Sequence, residues 1–588
     1  MRAFVDPFSS QPGAPPAVQT AQMQTAPAFL PFDAQTFAAA HKRHVPVFLI
    51  IGTLPQALCE PSLAAQIANR TVPVRLRPGE RPDVEALCLR ASALFSGESS
   101  LPLCALLLSN GCPFLAAPLP PEGYPLDPQR LLVWLLHADR RFSQNLPAFT
   151  RQAAQVAHDL HAPPLQKPYT PRDAAHDLSR ALSAAEDKPS GGFGGVKSPF
   201  VCALRFLLHE SSRGSGDAHA SLQRALSAML TSTLCDPLDG GFFRTSLTDD
   251  WRGVVPEKPL GVNALLAHLL LKSGRRTEAV RTLDFILDAY PLEGGALAPY
   301  VSAPLDTYAF TPAQVCAALG SEEGLRACRL LGLLRRYAKA PPALSPSRFS
   351  PPAQEGSRPR EEENPPLFPA FSPSLTPDDI AFLRRALPVL LRVRAARTPQ
   401  RPAPYLLSED CALAANILAL CGRQLGEPRY TQAAQRAVSA LLRACPPGDG
   451  YAALPPALSP AAPRQPTAGA AAALALALLQ LGKTPELKNY ADAGFRLLGA
   501  TLHAFMRSDG MLLHTPEDRA AFFPRIPALE DSELPSPAAT LVNALRIADE
   551  LRPHAHYADA IDFLWRSAAP HVKRAPMAHA ALIDAMNE

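Results

Sequence analysis

From residue 153 onward the chain alternates Ala/Leu-rich amphipathic segments with short glycine turns: "SGGFGG" at Gly191, "DGGFFR" at Gly240, "EGGALAPY" at Gly294, "GDGYAALP" at Gly450 and "SDGMLLH" at Gly510. Where they are contiguous, the turns recur about every 50 to 60 residues, the size of one helical hairpin. A hairpin cannot bury its apolar stripe alone, so such units must stack on one another. Six of them can close into a ring with inner helices around a central pocket, an (α/α)6 toroid; an open superhelical solenoid is the competing arrangement. The interval from Gly294 to Gly450 leaves room for two repeats and an insert.

That insert is visible as composition. Residues 340–379, "APPALSPSRFSPPAQEGSRPREEENPPLFPAFSPSLTPDD", are crowded with Pro, Ser and charge, and hold many of the 65 prolines of this 588-residue chain. Such a stretch buries too little apolar surface to offset its ordering entropy and is expected to be disordered, as are residues 1–26. The length requires more than one domain. The organisation read here is a small α/β domain at 27–150, a first part of the toroid at 151–339, the insert at 340–379 and a second part of the toroid at 380–588.

Charge excludes some partners. A net +4 from 57 basic and 53 acidic residues is too balanced for a nucleic-acid or membrane-surface protein. Eleven scattered cysteines, with no CxxC pair and no structural-zinc spacing, indicate a reducing compartment, no metal and no cofactor. The N-terminus has no continuous apolar core of a signal peptide, and the longest apolar run, "AGAAAALALALLQLG", is shorter than the roughly 18 residues that span a bilayer. A cytoplasmic location is expected, with that run as a buried helix. Cys88, Cys202, Cys316 and Cys421 lie in apolar helical contexts and read as small buried hydrophobes.

The N-terminal third has a different grammar. "FDAQTFAAAHKRH" reads as a helix capped by Asp33, "VPVFLIIG" as a buried strand, "PSLAAQIANRT" as a helix, "VPVRLR" as a strand and "ERPDVEALCLRASALF" as a third helix with Asp83 near its start. In "SLPLCALLLSNGCPFLAAPL" the Asn-Gly pair marks a β-hairpin, and "DPQRLLVWLLHADRRF" closes the unit. The order β-α-β-α-β-β-α is that of a thioredoxin fold. Pro102, directly ahead of a central strand, is the candidate for that fold's cis-proline.

Taken together, "KRHVPVFLIIG", "RPGERPDVEALC", "SLPLCALLLSNGCPFLAAPLPP", "GGFGGVKSPF", "DPLDGGFFRTSLTDDWRGVVPEKPLGVNALL", "TYAFTPAQV" and "DSELPSPAATLVNALR" resemble the spermatogenesis-associated type of protein almost end to end. That family joins a thioredoxin-like domain to a six-hairpin, glycosidase-like toroid. Its Cys-His-Trp-Cys-His motif, expected after Gly52, is missing: the chain reads "TLPQALCEPSLAAQ" there. Cys59 is expected in the following helix, where a lone thiol has no resolving partner. The resemblance implies a toroid pocket related to those of sugar epimerases and glycosidases, reduced in its polar groups. "VPEKPLG", "VSAPLDTYAF" and "LSEDCALA" stand where the family has His-Phe-Glu-Lys-Met, Asp-Ala-Asp and Trp-Asn-Gly.

Glu257 is then the candidate catalytic residue, since a carboxylate beside a pocket can act as acid or base. Trp251, Lys258, Asn263, Asp306 and Asp531 are candidate ligand-binding residues, with Asp249, Asp250, Asp306 and Asp531 possible as the second carboxyl that glycoside cleavage requires. Trp251 and Phe242 could stack on a sugar ring or anchor hairpins in the core. His268 and His514 read as ordinary histidines. Three functions stay open: a non-redox protein that binds a carbohydrate-like small molecule or a protein partner, a carbohydrate-active epimerase, isomerase or hydrolase using Glu257, and a thioredoxin-type redox protein, which the missing dithiol disfavours.

Overall fold

The computed structural model describes residues 29–121, 124–158, 160, 162, 165–334, 349, 367–445, 454–458, 466–516 and 523–588. Residues 1–26 and most of 340–379 therefore lie outside the described residues. The chain is a thioredoxin-like α/β domain followed by an all-α (α/α)6 toroid.

In the first domain four strands, β1 (Val47–Ile51), β2 (Val72–Leu76), β3 (Leu103–Leu107) and β4 (Pro113–Pro118), lie in the order β2-β1-β3-β4. β1 runs parallel to β2 and antiparallel to β3. Alternation along β1 sends Val47, Leu49 and Ile51 to one layer and Phe48 and Ile50 to the other, so both faces are covered by helices. Asp33 caps the helix Ala34–Arg43 by accepting from the Thr36 N–H at 2.8 Å. Gly111, at φ 80°, and the Asn110 side chain on the Cys112 N–H shape the β3–β4 turn. The Leu101–Pro102 peptide is cis.

The toroid is built from hairpins that each bring one helix to the inside. The inner helices Val201–Ser212, Leu260–Lys272, Ser408–Leu425, Ala468–Gly482, Pro537–Leu551 and Ala580–Asn587 pack each on the next, and the last returns to the first. That closure excludes the open solenoid. Outer helices Gly216–Leu230, Arg276–Ala289, Pro428–Ala444, Lys488–Phe505 and Ala555–Arg574 follow the first five, and Pro171–Ala185 pairs with the sixth, so the two ends of the toroid's chain close one hairpin. Every side chain of Ala468–Gly482 is buried, which fixes the Ala-rich run as the most enclosed wall of the ring. Among the described residues no helix is long and apolar enough to cross a membrane.

The glycine turns have a positional job. Gly191, Gly240, Gly294 and Gly510 have φ between 74° and 86°, a region that costs side chains with a Cβ. A Cβ on Gly191 would stand 2.9 Å from the Arg224 carbonyl oxygen, and one on Gly510 would stand 2.5 Å from that of Phe563. The turns at Gly191, Gly240 and Gly510 thus abut the backbone of the next outer helix, which sets the hairpin-to-hairpin spacing there, while the Gly450 turn lies outside the described residues. The first two turns also carry a buried lysine. Lys197 Nζ donates to Asp187 at 2.6 Å, and Lys258 Nζ donates to Asp236 at 2.9 Å and to Asp239 at 2.7 Å.

Between Gly294 and Gly450 the structure holds one toroid hairpin, Ser408–Leu425 with Pro428–Ala444, where spacing suggested two. Among the described residues of the remaining length, the helices Pro312–Leu319, Ser321–Leu330 and Pro377–Ala395 form a separate cluster with its own apolar core. The insert's expected disorder needs correction at its edges. Phe349 is buried against Trp134 and its carbonyl accepts from the Asp127 N–H at 2.7 Å, while Leu367 pairs with Phe310. Asp379 already lies in the first turn of the helix Pro377–Ala395, closing a capping box with Thr376.

Candidate functional site

The inner helices start at a common end of the ring, and that is where polar groups gather. β5 (Glu257–Pro259) runs directly into the helix Leu260–Lys272 and pairs with β6 (Tyr300–Ser302), so Glu257 sits at the mouth on the strand before the helix. Arg244, at the end of "DGGFFR", donates from Nε to Glu257 Oε2 at 2.8 Å and from a terminal nitrogen to Glu533. Its backbone N–H also donates to the Glu257 carbonyl at 2.7 Å. One guanidinium therefore holds two carboxylates from segments almost 280 residues apart. Burial works against the Arg244 charge, and Glu257 and Glu533 outweigh it, so its pKa is raised well above the ordinary value.

Glu409 and Asp410 join this group from the first turn of Ser408–Leu425. Glycines on both neighbouring helices make their space: Glu409 Oε2 lies 2.2 Å from where a Cβ on Gly469 would stand, and Asp410 Oδ1 lies 3.4 Å from where one on Gly261 would stand. Burial, then the charge of Asp410, pushes Glu409 up to about 8; burial, with Glu533 and Glu85 opposing the help of Arg244, pushes Asp410 up to about 7. Glu85 comes from the other domain. It stands in the first turn of Pro82–Ser96, accepts from the Gly79 N–H at 2.8 Å, and is pushed up to about 7 by burial and by Glu533.

The thioredoxin-like domain thus forms one wall of the mouth. Arg90 pairs with Glu530 at 2.7 Å, Phe32 meets Phe523 edge-on at 5.7 Å, the Arg77 guanidinium lies over Tyr405, and Gly79 abuts Leu407. The segment "RPGERPDVE" supplies two of these four contacts.

The other residues singled out from sequence take different places. Lys258 is fully buried among Asp236, Asp239 and the rings of Phe243, Phe285 and Tyr308, so its charge is spent inside the scaffold. Arg394 completes that network by pairing with the same two aspartates, and thereby ties the inserted helix Pro377–Ala395 to the ring. Burial alone would raise Asp236, but Arg394 and Lys258 hold it well below the usual carboxylate range. Asn263 is also fully buried; its side chain accepts from the Phe242 N–H at 2.7 Å and donates to the Phe242 and Pro259 carbonyls. Trp251 donates its indole N–H to the Ser190 and Gly191 carbonyls and packs on Gly192, and Phe242 is buried as well, so both aromatics anchor turns in the core.

Asp306 is exposed on the short helix Leu305–Tyr308, and its backbone carbonyl accepts from Arg397. Asp531 braces two inner-helix starts: one oxygen accepts from the Ser536 N–H at 2.9 Å and the other from the Ala581 N–H at 2.7 Å, while burial raises it to about 7. Asp249 and Asp250 are exposed. Cys59 ends a single 3-10 turn, Gln56–Cys59, ahead of the helix in which it was expected. Of the cysteines read as buried, Cys88, Cys202 and Cys421 are so, whereas Cys316 is half-buried.

Of the groups gathered around Arg244, sequence reasoning singled out Glu257; Arg244, Glu533, Glu409, Asp410 and Glu85 were not singled out. All five lie in segments already distinguished in the chain, "DGGFFR", "DSELPSP", "LSED" and "ERPDVE". What was missing was the folding that brings them together.

Comparison with known proteins places the N-terminal part in a described family. The family Thioredox_DsbH, described as a protein of unknown function, DUF255, matches residues 18–161. An uncharacterized protein of Caenorhabditis elegans, B0495.5, is 23% identical over 253 residues, a match spanning 38% of this chain and only 32% of the worm protein's length. Among solved structures, the cellobiose 2-epimerase of Spirochaeta thermophila is 14% identical, with a TM-score of 0.43 over 71% of this chain and 96% of that one. The GH76 α-mannanase BT2949 of Bacteroides thetaiotaomicron is 8% identical, with a TM-score of 0.40 over 71% and 94%.

Proposed function

We propose that this protein is a divergent, non-redox relative of the spermatogenesis-associated type, and that it binds a neutral carbohydrate-like ligand at the mouth of the toroid. The observation that carries this reading is the Arg244 group: a guanidinium shared by Glu257 and Glu533, with Glu409, Asp410 and Glu85 alongside. Five carboxyl groups against one arginine disfavour an anion, while carboxyls and a guanidinium together offer acceptors and donors for several hydroxyl groups. The thioredoxin-like domain acts here as a wall of the site. A thermal-shift screen against neutral sugars and sugar phosphates tests the reading, because a ligand of the folded state raises Tm. Neutral sugars are expected to stabilise and sugar phosphates to do so less; stabilisation by phosphates alone would overturn it.

A second reading, a carbohydrate-active epimerase, isomerase or hydrolase, is favoured by one specific feature. Asp410 and Glu409, near Arg244, Glu533 and Glu85, can keep a proton near neutrality and so supply a group that gives one. Glu257→Gln separates the two. Under binding alone, affinity for a neutral sugar changes little; under catalysis, turnover falls by about a hundredfold or more.

A further inference from the structure

Phe200 has an unusual combination of features. It precedes the inner helix Val201–Ser212 with φ 45° and ψ 48°, a left-handed conformation that is rare for a bulky side chain, and its ring is 43% exposed. Strained, exposed residues of this kind persist only where their surroundings hold them. Here the hold is visible. The preceding Lys197 is fully buried on Asp187 and the Gly194 carbonyl, and its backbone exchanges hydrogen bonds with Ser246 at 2.8 and 2.9 Å. The next residue, Ser198, lies 3.5 Å from Thr245 through their hydroxyls, and Thr245 adjoins Arg244. The antiparallel pairing therefore carries the chain toward Arg244 as it reaches Phe200. The ring touches buried Phe193 edge-on, with centroids 6.1 Å apart, an arrangement that braces it by an edge.

The aromatics that sequence offered for stacking, Trp251 and Phe242, are enclosed in the core. Phe200, by contrast, is exposed at the start of an inner helix, the same end of the toroid as the Arg244 group. Resting on the sugar reading above, we propose that Phe200 is a specificity-determining residue of the same site, an apolar platform for the C–H face of a pyranose ring whose hydroxyls meet the carboxyl groups. The ligand class is then a cyclic neutral sugar in preference to an open-chain polyol, which has the hydroxyls and lacks the ring face.

Calorimetric titration of the full chain with methyl glucoside, methyl mannoside, cellobiose and sorbitol tests this. The expected result is that at least one cyclic probe binds tighter than sorbitol, that Phe200→Leu weakens that probe by roughly tenfold, and that Phe200→Tyr restores it. Leucine keeps bulk and apolar packing, so a purely structural residue would tolerate it. Circular dichroism melting shows that each variant is folded, and if Phe200→Leu fails to fold, Phe200→Tyr and Phe200→His carry the comparison, with weakening expected only for histidine. A cyclic probe that binds wild type and Phe200→Leu equally overturns the assignment and leaves the sugar reading standing. Absence of binding of every probe to wild type overturns both.

Discussion

Two corners of this molecule differ in the groups they bring together. In the thioredoxin-like domain, β1 ends at Gly52, φ 126°, where an added Cβ would stand 2.5 Å from that of cis Pro102. The next cysteine in sequence, Cys59, closes a short 3-10 turn, and the chain has no CxxC pair. At the toroid mouth the reverse holds. The polar groups are plentiful and mutually adjusted, with Arg244 held between Glu257 and Glu533 and three further carboxyls raised toward neutrality. The surface of the thioredoxin-like domain contributes Glu85 and the Arg90–Glu530 pair to the mouth.

The largest expected effect tests whether Lys258 belongs to the scaffold or to the mouth. Asp236→Ala leaves Lys258 and Arg394 buried with fewer partners and should cost about 3–5 kcal/mol, measured by denaturant unfolding. A loss under about 1 kcal/mol would return Lys258 to the list of groups free to meet a ligand.

Next come two glycines, one from each corner. Gly52→Ala must place a methyl group against Pro102 at a φ that favours glycine, and should destabilise by about 1–3 kcal/mol. Gly469→Ala meets only the end of the Glu409 side chain, which can swing aside. Its stability should change by less, while its affinity for a neutral sugar should change by more. Equal behaviour of the two variants in melting and binding assays would erase the contrast between the corners.

Smaller again is a pH effect. Glu409, Asp410, Glu85 and Asp531 have folded pKa values of about 8, 7, 7 and 7, raised by burial from ordinary carboxylate values. Between pH 6.5 and 8 the unfolded chain has no carboxyl protons left to lose, whereas the folded chain still releases them, so stability falls as pH rises through this window. The buried His514 and His571, lowered to about 4, act on the acid side: stability falls there as pH drops below the ordinary histidine value. Tm should therefore decline from pH 6.5 to 8, and Glu409→Gln should flatten that decline; an unchanged slope would remove Glu409 from the group. Smallest of all, Cys59→Ser should shift stability by less than about 0.5 kcal/mol. Insulin-disulfide reduction by the wild type that vanishes in this variant would restore the redox reading.

The fold was legible because its signals are periodic. Glycine turns at fixed intervals, alternation along Val47–Ile51 and the Asn110-Gly111 turn each depend on neighbours in sequence. The count of hairpins between Gly294 and Gly450 was misread because a three-helix cluster has the same amphipathic period as a toroid hairpin and differs only in what it packs against. The site was half legible for a related reason. Glu257 was singled out through the resemblance of "VPEKPLG" to a family stretch, but whether a lysine, an asparagine or a tryptophan faces the pocket or the core depends on long-range packing. Lys258, Asn263 and Trp251 all turned inward onto partners that no local pattern names.

On the reading proposed above, a sugar binds at the mouth of the toroid and not at the Gly52–Pro102 corner. A crystal structure with the neutral sugar that most raises Tm tests it directly. The account predicts the sugar within hydrogen-bonding distance of Glu257, Asp410 or Glu533, at the starts of the inner helices; a sugar seated beside Pro102, or elsewhere on the surface with the Arg244–Glu257 pair undisturbed, would contradict it.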